Sequence, residues 1–204
     1  MLYLDDFTAG KEISLGHYIV SEKEIIDFAK DYDFQDFHTD PEAAKRSVFG
    51  GLIASGWHTA GICMKLICQA FMTQTACNGS PGIQDLKWLK PVRPGDTLTG
   101  FVRVTGQLPS KSKPDRGASL QHWALQNQDG DTVFCADVTV LMMRKPQPVA
   151  QAPVDAAAAA TTTTAAGQAD AQPTSPDRAE LEKWRAQAQS LWFNDGSCTG
   201  GKSE

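Results

Sequence analysis

Asp33 and His38 lie five positions apart in the run Tyr32-Asp-Phe-Gln-Asp-Phe-His-Thr-Asp-Pro41. A carboxylate and an imidazole this close on one loop can share a water molecule, one taking its proton while the other holds it in place. A glycine-bearing run, Phe49-Gly-Gly-Leu-Ile-Ala-Ser-Gly-Trp57, follows a few residues later. If a helix opens at its end, the N–H of Gly56 is available to an oxyanion. Together these residues can move a proton to or from water while charge builds on a neighbouring oxygen.

Local signals place both groups. Ser21-Glu-Lys-Glu24 has the spacing of a capping box, and Ile25, Phe28, Ala29 and Tyr32 then recur at helical intervals, so a helix is predicted to deliver the chain to Asp33. Asp40-Pro41-Glu42 predicts a second, short helix with Asp40 as N-cap, which leaves His38 in the loop between the two. From about Gly56 to Phe71 apolar residues fall all round the helical wheel, predicting a helix buried on most sides. Strand character near residues 13–20, 83–89, 97–107, 117–128 and 132–144 is punctuated by Pro94-Gly-Asp96 and Asp129-Gly130. The expected class is α+β, an antiparallel sheet wrapped around a central apolar helix.

The residues and their order resemble a known family. The helix, the Asp33…His38 loop, the glycine run through His58, and Trp88-Leu-Lys-Pro-Val-Arg-Pro-Gly-Asp96 look like a MaoC-like acyl dehydratase, of the (R)-specific enoyl-CoA hydratase branch of the hotdog superfamily. The likeness covers roughly residues 3–145. It implies that Asp33 and His38, matching the ends of an Asp-x-Asn-Pro-x-His element, act on one water that adds across the double bond of a trans-2-enoyl thioester. It also implies that Gly56 is the oxyanion donor, that Ser55 and Gln35 border the substrate, and that two copies form a homodimer with sheets joined edge to edge. Coenzyme A enters as part of the acyl-CoA substrate, and no redox or metal cofactor is implied. Gln35 stands where the family has asparagine and Asp36 where it has proline, so the loop loses a rigid residue and gains a carboxylate that is expected to point to solvent or pair with a neighbouring base, the alternative being that it faces His38. Ser55 occupies a position where many relatives carry histidine, a difference expected to bear on substrate positioning. Two alternatives share the fold: hydrolysis of the thioester, and acyl-thioester binding without turnover.

Plainer roles account for other residues. Asp40 is explained by capping, and Gly50 and Gly51 by a turn. His17, His58 and His122 have no second ligand at useful spacing and are assigned to packing or surface. Gly196-Ser-Cys-Thr-Gly-Gly-Lys-Ser203 matches a phosphate-loop pattern by letter, but only Glu204 follows, and the pattern needs a helix there to aim its N–H groups.

Composition bounds the remaining possibilities. Nineteen basic against 24 acidic residues, net charge -5, supply no footprint for nucleic acid. The N-terminal residues lack the pattern of a signal peptide, and the longest apolar stretch, near 57–72, is interrupted by His58, Lys65 and Gln69, so no membrane span is expected. Five cysteines without paired spacing fit a reducing cytoplasm. Four segments are expected: a domain over 1–145, an Ala/Thr/Pro-rich flexible linker over 146–175, an amphipathic C-terminal helix over 176–195 carrying Leu181, Trp184, Ala188, Leu191 and Trp192 on one stripe, and a disordered tail over 196–204. The stripe can pack on its own domain, on a second subunit or on another protein.

Overall fold

A computed structural model describes residues 1–146 of the 204-residue chain. The expected linker, C-terminal helix, tail and phosphate-loop pattern lie outside these residues, apart from Pro146 at the linker's start.

Five strands, β1 (Glu12–Ile19), β2 (Ile83–Trp88), β3 (Thr97–Pro109), β4 (Arg116–Gln126) and β5 (Thr132–Met143), form one antiparallel sheet in the order β1-β3-β4-β5-β2. Short turns join the three central strands where turn chemistry demands it. Asn127 accepts the N–H groups of Asp129 and Asp131 between β4 and β5, with Gly130 at φ +79°. Before β3, the Asp96 carboxylate accepts the Arg93 N–H at 2.7 Å and Gly95 takes φ +87°.

The central helix α4 (Gly56–Ala70) lies against one face of the sheet. Ile62, Cys63, Leu66 and Ile67 pack with Leu15, Val102, Trp123, Leu125, Phe134 and Val138 in one cluster. Close approach is possible because Gly100 has no side chain: a Cβ there would lie 3.0 Å from Leu15 and 3.2 Å from Leu66. This antiparallel sheet curled round a helix is the hotdog arrangement.

Helix α1 (Glu22–Tyr32) begins at the expected capping box: Ser21 Oγ accepts the Glu24 N–H, and Glu24 accepts the Ser21 N–H. Asp40 accepts the N–H groups of Glu42 and Ala43 to start α3 (Pro41–Lys45), as predicted.

Two expectations are corrected. His38 sits in a single helical turn, α2 (Asp36–Thr39), rather than in a loop, because Asp40 closes the turn by donating to Asp36 O at 2.9 Å. And α4 is not buried on most sides of the protomer: Trp57 is 61% and Met64 39% exposed. That stripe, like the exposed Ile83 and Trp88 of edge strand β2, is left open by the single protomer. No helix among the described residues is long and apolar enough to cross a membrane.

Candidate active site

Three sequence motifs meet through the backbone. The Ile53 N–H donates to Phe37 O at 3.2 Å, tying the glycine run to α2, and the Ala54 N–H donates to Val92 O at 2.8 Å, tying it to the segment before β3. Arg93 adds a side-chain tie, donating to Phe49 O at 2.6 Å.

Asp33 is the C-cap of α1, so the helix end fixes where its side chain emerges. Its carboxylate is held on both oxygens. Gln35 Nε2 donates to Oδ1 at 2.8 Å and Ser55 Oγ to Oδ2 at 2.6 Å, while His38 Nε2 lies 3.5 Å from Oδ2. Burial pushes this carboxyl's pKa up, but the Ser55 and Gln35 hydrogen bonds and the His38 charge together outweigh it and hold Asp33 below the usual carboxylate value.

His38 is buried, with Nδ1 2.8 Å from Ile53 O. A carbonyl only accepts, so Nδ1 carries the hydrogen and the neutral ring keeps its lone pair on Nε2, the nitrogen facing Asp33. Phe37 packs edge-on against the ring at 4.5 Å.

Ser55 caps α4, accepting the Trp57 N–H at 3.2 Å with the same hydroxyl that donates to Asp33. Ser55, expected to bear on substrate positioning, is linked directly to the carboxylate. Gly56 is the first residue of α4, where N–H groups lack intrahelical acceptors and the helix dipole is positive. The absence of a side chain at Gly56 is required by Trp88. A Cβ would lie 2.5 Å from Trp88 Cε2, and Trp88 Nε1 donates to Gly56 O at 2.7 Å.

Asp33, Gln35, His38 and Gly56 line one cavity of about 490 Å³, bordered by the apolar walls of Phe37 and Trp88. Ser55 is fully buried and acts on this cavity only through its neighbours. Asp36 is exposed at the first position of α2. Proline is favoured at such a position and a carboxylate suits the positive helix end, so Asp36 fits where the resembled motif has proline.

His58 stays outside this group. It stacks on Phe28 at 4.9 Å, with Nε2 3.5 Å from Glu24 and Nδ1 buried without a hydrogen-bond partner among the described residues. Burial lowers its pKa, opposed by Glu24. His122 pairs with Asp137 at 2.6 Å on the sheet. The roles of the Ile53 carbonyl, Trp88 and Arg93 were not assigned from sequence; of these Trp88 and Arg93 carried a local signal, their place in the Trp88–Asp96 motif.

An imidazole, a carboxylate and a helix start around one apolar cavity on a hotdog fold define a protein equipped for proton transfer beside a developing oxyanion. Residues 7–122 match the MaoC like domain model, and the chain belongs to that family. It is 32% identical over 142 residues to the uncharacterized protein YdeM of Bacillus subtilis, covering 69% of this chain and 99% of YdeM. It is 36% identical over 111 residues to an (R)-specific enoyl-CoA hydratase of Rhodospirillum rubrum, covering 53% of this chain and 74% of that protein. The crystal structure of a MaoC-like dehydratase from Rhodospirillum rubrum superposes with a TM-score of 0.67 at 38% identity, over 72% of this chain and all of that one.

Proposed function

We propose that the protein adds water to a trans-2-enoyl thioester, or in reverse dehydrates a 3-hydroxyacyl thioester, with coenzyme A as the thiol carrier. The observation that carries this reading is the convergence of His38 Nε2 and the Asp33 carboxylate, 3.5 Å apart, on the cavity that Gly56 also lines.

Water held between Asp33 and His38 gives one proton to the pair as its oxygen bonds to C3. The π electrons of C2=C3 move toward the thioester oxygen, where the Gly56 N–H and the α4 dipole stabilise the charge. A proton from the pair then reaches C2, so one water is consumed and both side chains return to their starting state. Asp33, held ionised by Ser55 and Gln35, orients the water, and His38 exchanges the proton.

A second copy of the chain fits the open side of the protomer. Trp57, Met64, Ile83, Trp88 and Leu89 are each between 39% and 61% exposed, and pairing β2 edge to edge would cover an unprotected strand beside the cavity.

The test follows enoyl-CoA absorbance and free thiol together. Loss of the conjugated double bond with no thiol released is the expected result. Thiol appearing with time would make the protein a thioesterase, and acyl-CoA binding with neither change would make it a binding protein.

A further inference from the structure

His58 lies on α4 outside the candidate pair, yet its contacts run to the helix that carries Asp33. Its ring stacks on Phe28 of α1, with centroids 4.9 Å apart and planes within 13° of parallel. Its Nε2 lies 3.5 Å from Oε1 of Glu24, one turn before Phe28 on the same face of α1. A carboxylate only accepts, so in the neutral ring Nε2 carries the hydrogen, the opposite tautomer to that of His38.

Glu24 is itself held in place. Its other oxygen, Oε2, accepts the Ser21 N–H at 3.2 Å and the Ser21 hydroxyl at 2.8 Å, completing the box that starts α1. Burial pushes the Glu24 carboxyl up, but hydrogen bonds from Ser21 and Tyr18 and the His58 charge outweigh it and hold its pKa below the usual value. Lys65, two turns beyond His58 on α4, donates to the Tyr18 hydroxyl of β1 at 3.0 Å, so the start of α1 is tied to the central helix through the sheet as well.

Two attachments therefore join α1 directly to α4. At the end of α1, Asp33 accepts from Ser55, the N-cap of α4. Five residues earlier, Phe28 meets His58, three residues past that cap. Along the axes these points are about 7.5 Å apart on α1 and about 4.5 Å apart on α4. One hydrogen bond leaves two helices free to pivot about it, whereas a second contact at this separation fixes the angle between them. Asp33 leaves the end of α1 and Gly56 opens α4, so that angle sets where the carboxylate stands relative to the helix start.

We propose that His58 is a positioning residue, which by stacking on Phe28 holds α1 at the angle that keeps Asp33 on Ser55 and in the cavity that Gly56 lines. The stack supplies the fixed distance, and the Glu24 pair sets the ring's rotation. Its part in turnover rests on the hydration reading above; its part in placing Asp33 does not.

The test pairs kinetics on enoyl-CoA with titration of the Asp33 carboxyl by carbon NMR, both on the full-length protein. His58→Ala removes the ring and is expected to raise the Asp33 pKa as the carboxylate parts from Ser55. The same change should lower kcat about ten-fold or more, with KM changed less than about two-fold. His58→Phe keeps a ring on Phe28 and should restore the Asp33 titration and most of kcat. Phe28→Leu, a milder change on the other side of the stack, should move the Asp33 pKa in the same direction if His58→Ala folds poorly. An Asp33 titration unchanged in His58→Ala and Phe28→Leu, even with a lower melting temperature, or no recovery in His58→Phe, would overturn the proposal. If the wild type hydrates no enoyl-CoA the hydration reading fails, while a raised Asp33 pKa in His58→Ala still supports the positioning role.

Discussion

The Ser55 hydroxyl donates to Asp33 Oδ2 at 2.6 Å and accepts the Trp57 N–H at 3.2 Å, so one buried side chain couples the candidate acid–base pair to the start of the central helix. Deleting it removes a hydrogen bond to a charged group, worth about 1.5–3 kcal/mol. Ser55→Ala is therefore expected to lower kcat by about ten- to a hundred-fold. Because Ser55 helps hold the Asp33 pKa down, the acidic limb of the kcat/KM profile should also move to higher pH. A rate–pH series on wild type and variant measures both; an acidic limb that stays put would show that the hydroxyl does not act through Asp33.

Gly56 meets Trp88 more tightly than a side chain allows. Gly56→Ala places a methyl 2.5 Å from the indole, and overpacking of this kind costs about 1–3 kcal/mol. Denaturant melts should show that loss, and Gly56→Ala/Trp88→Leu should recover part of it. Equal stabilities for Gly56→Ala and wild type would remove the ring from its assigned place.

His58 gives stability a pH dependence of defined sign. Its folded pKa lies below the ordinary 6.5 because burial disfavours the charged ring, with Lys65 adding to the shift and Glu24 opposing it. Between the folded value and 6.5 the unfolded chain binds more protons, so this contribution is complete above about 6.5 and is lost as pH falls through that window. Thermal melts from about pH 8 to about pH 5.5 should fall more steeply for wild type than for His58→Gln. Parallel curves would assign the dependence elsewhere.

Asp36 is exposed at the start of a helical turn, whereas His38 is buried. Asp36→Asn should leave the pH–rate profile unchanged, whereas a displaced basic limb would place its charge on the imidazole.

What could be read from the chain was local. The Ser21–Glu24 box and the Asp40 cap each depend on residues three or fewer positions apart, and both appear where spacing put them. The turn holding His38 was missed because four residues are too few to show a helical period. The Ile53 carbonyl that sets the His38 tautomer is a backbone atom 15 positions away, invisible to residue type. Trp88 reaches Gly56 across 32 positions. The open stripe on α4 was misread because an apolar helix reveals how much surface it can bury, and only its neighbours decide how much it does.

The central claim is that Asp33 and His38 work as one unit on one water, and the kinetics of Asp33→Asn, His38→Ala and the double variant on enoyl-CoA hydration test it most directly. Each single change should reduce kcat by roughly three orders of magnitude or more, with the double variant scarcely worse than either, since a pair acting together is disabled by losing one member. Losses below about ten-fold, or losses that multiply in the double variant, would contradict it.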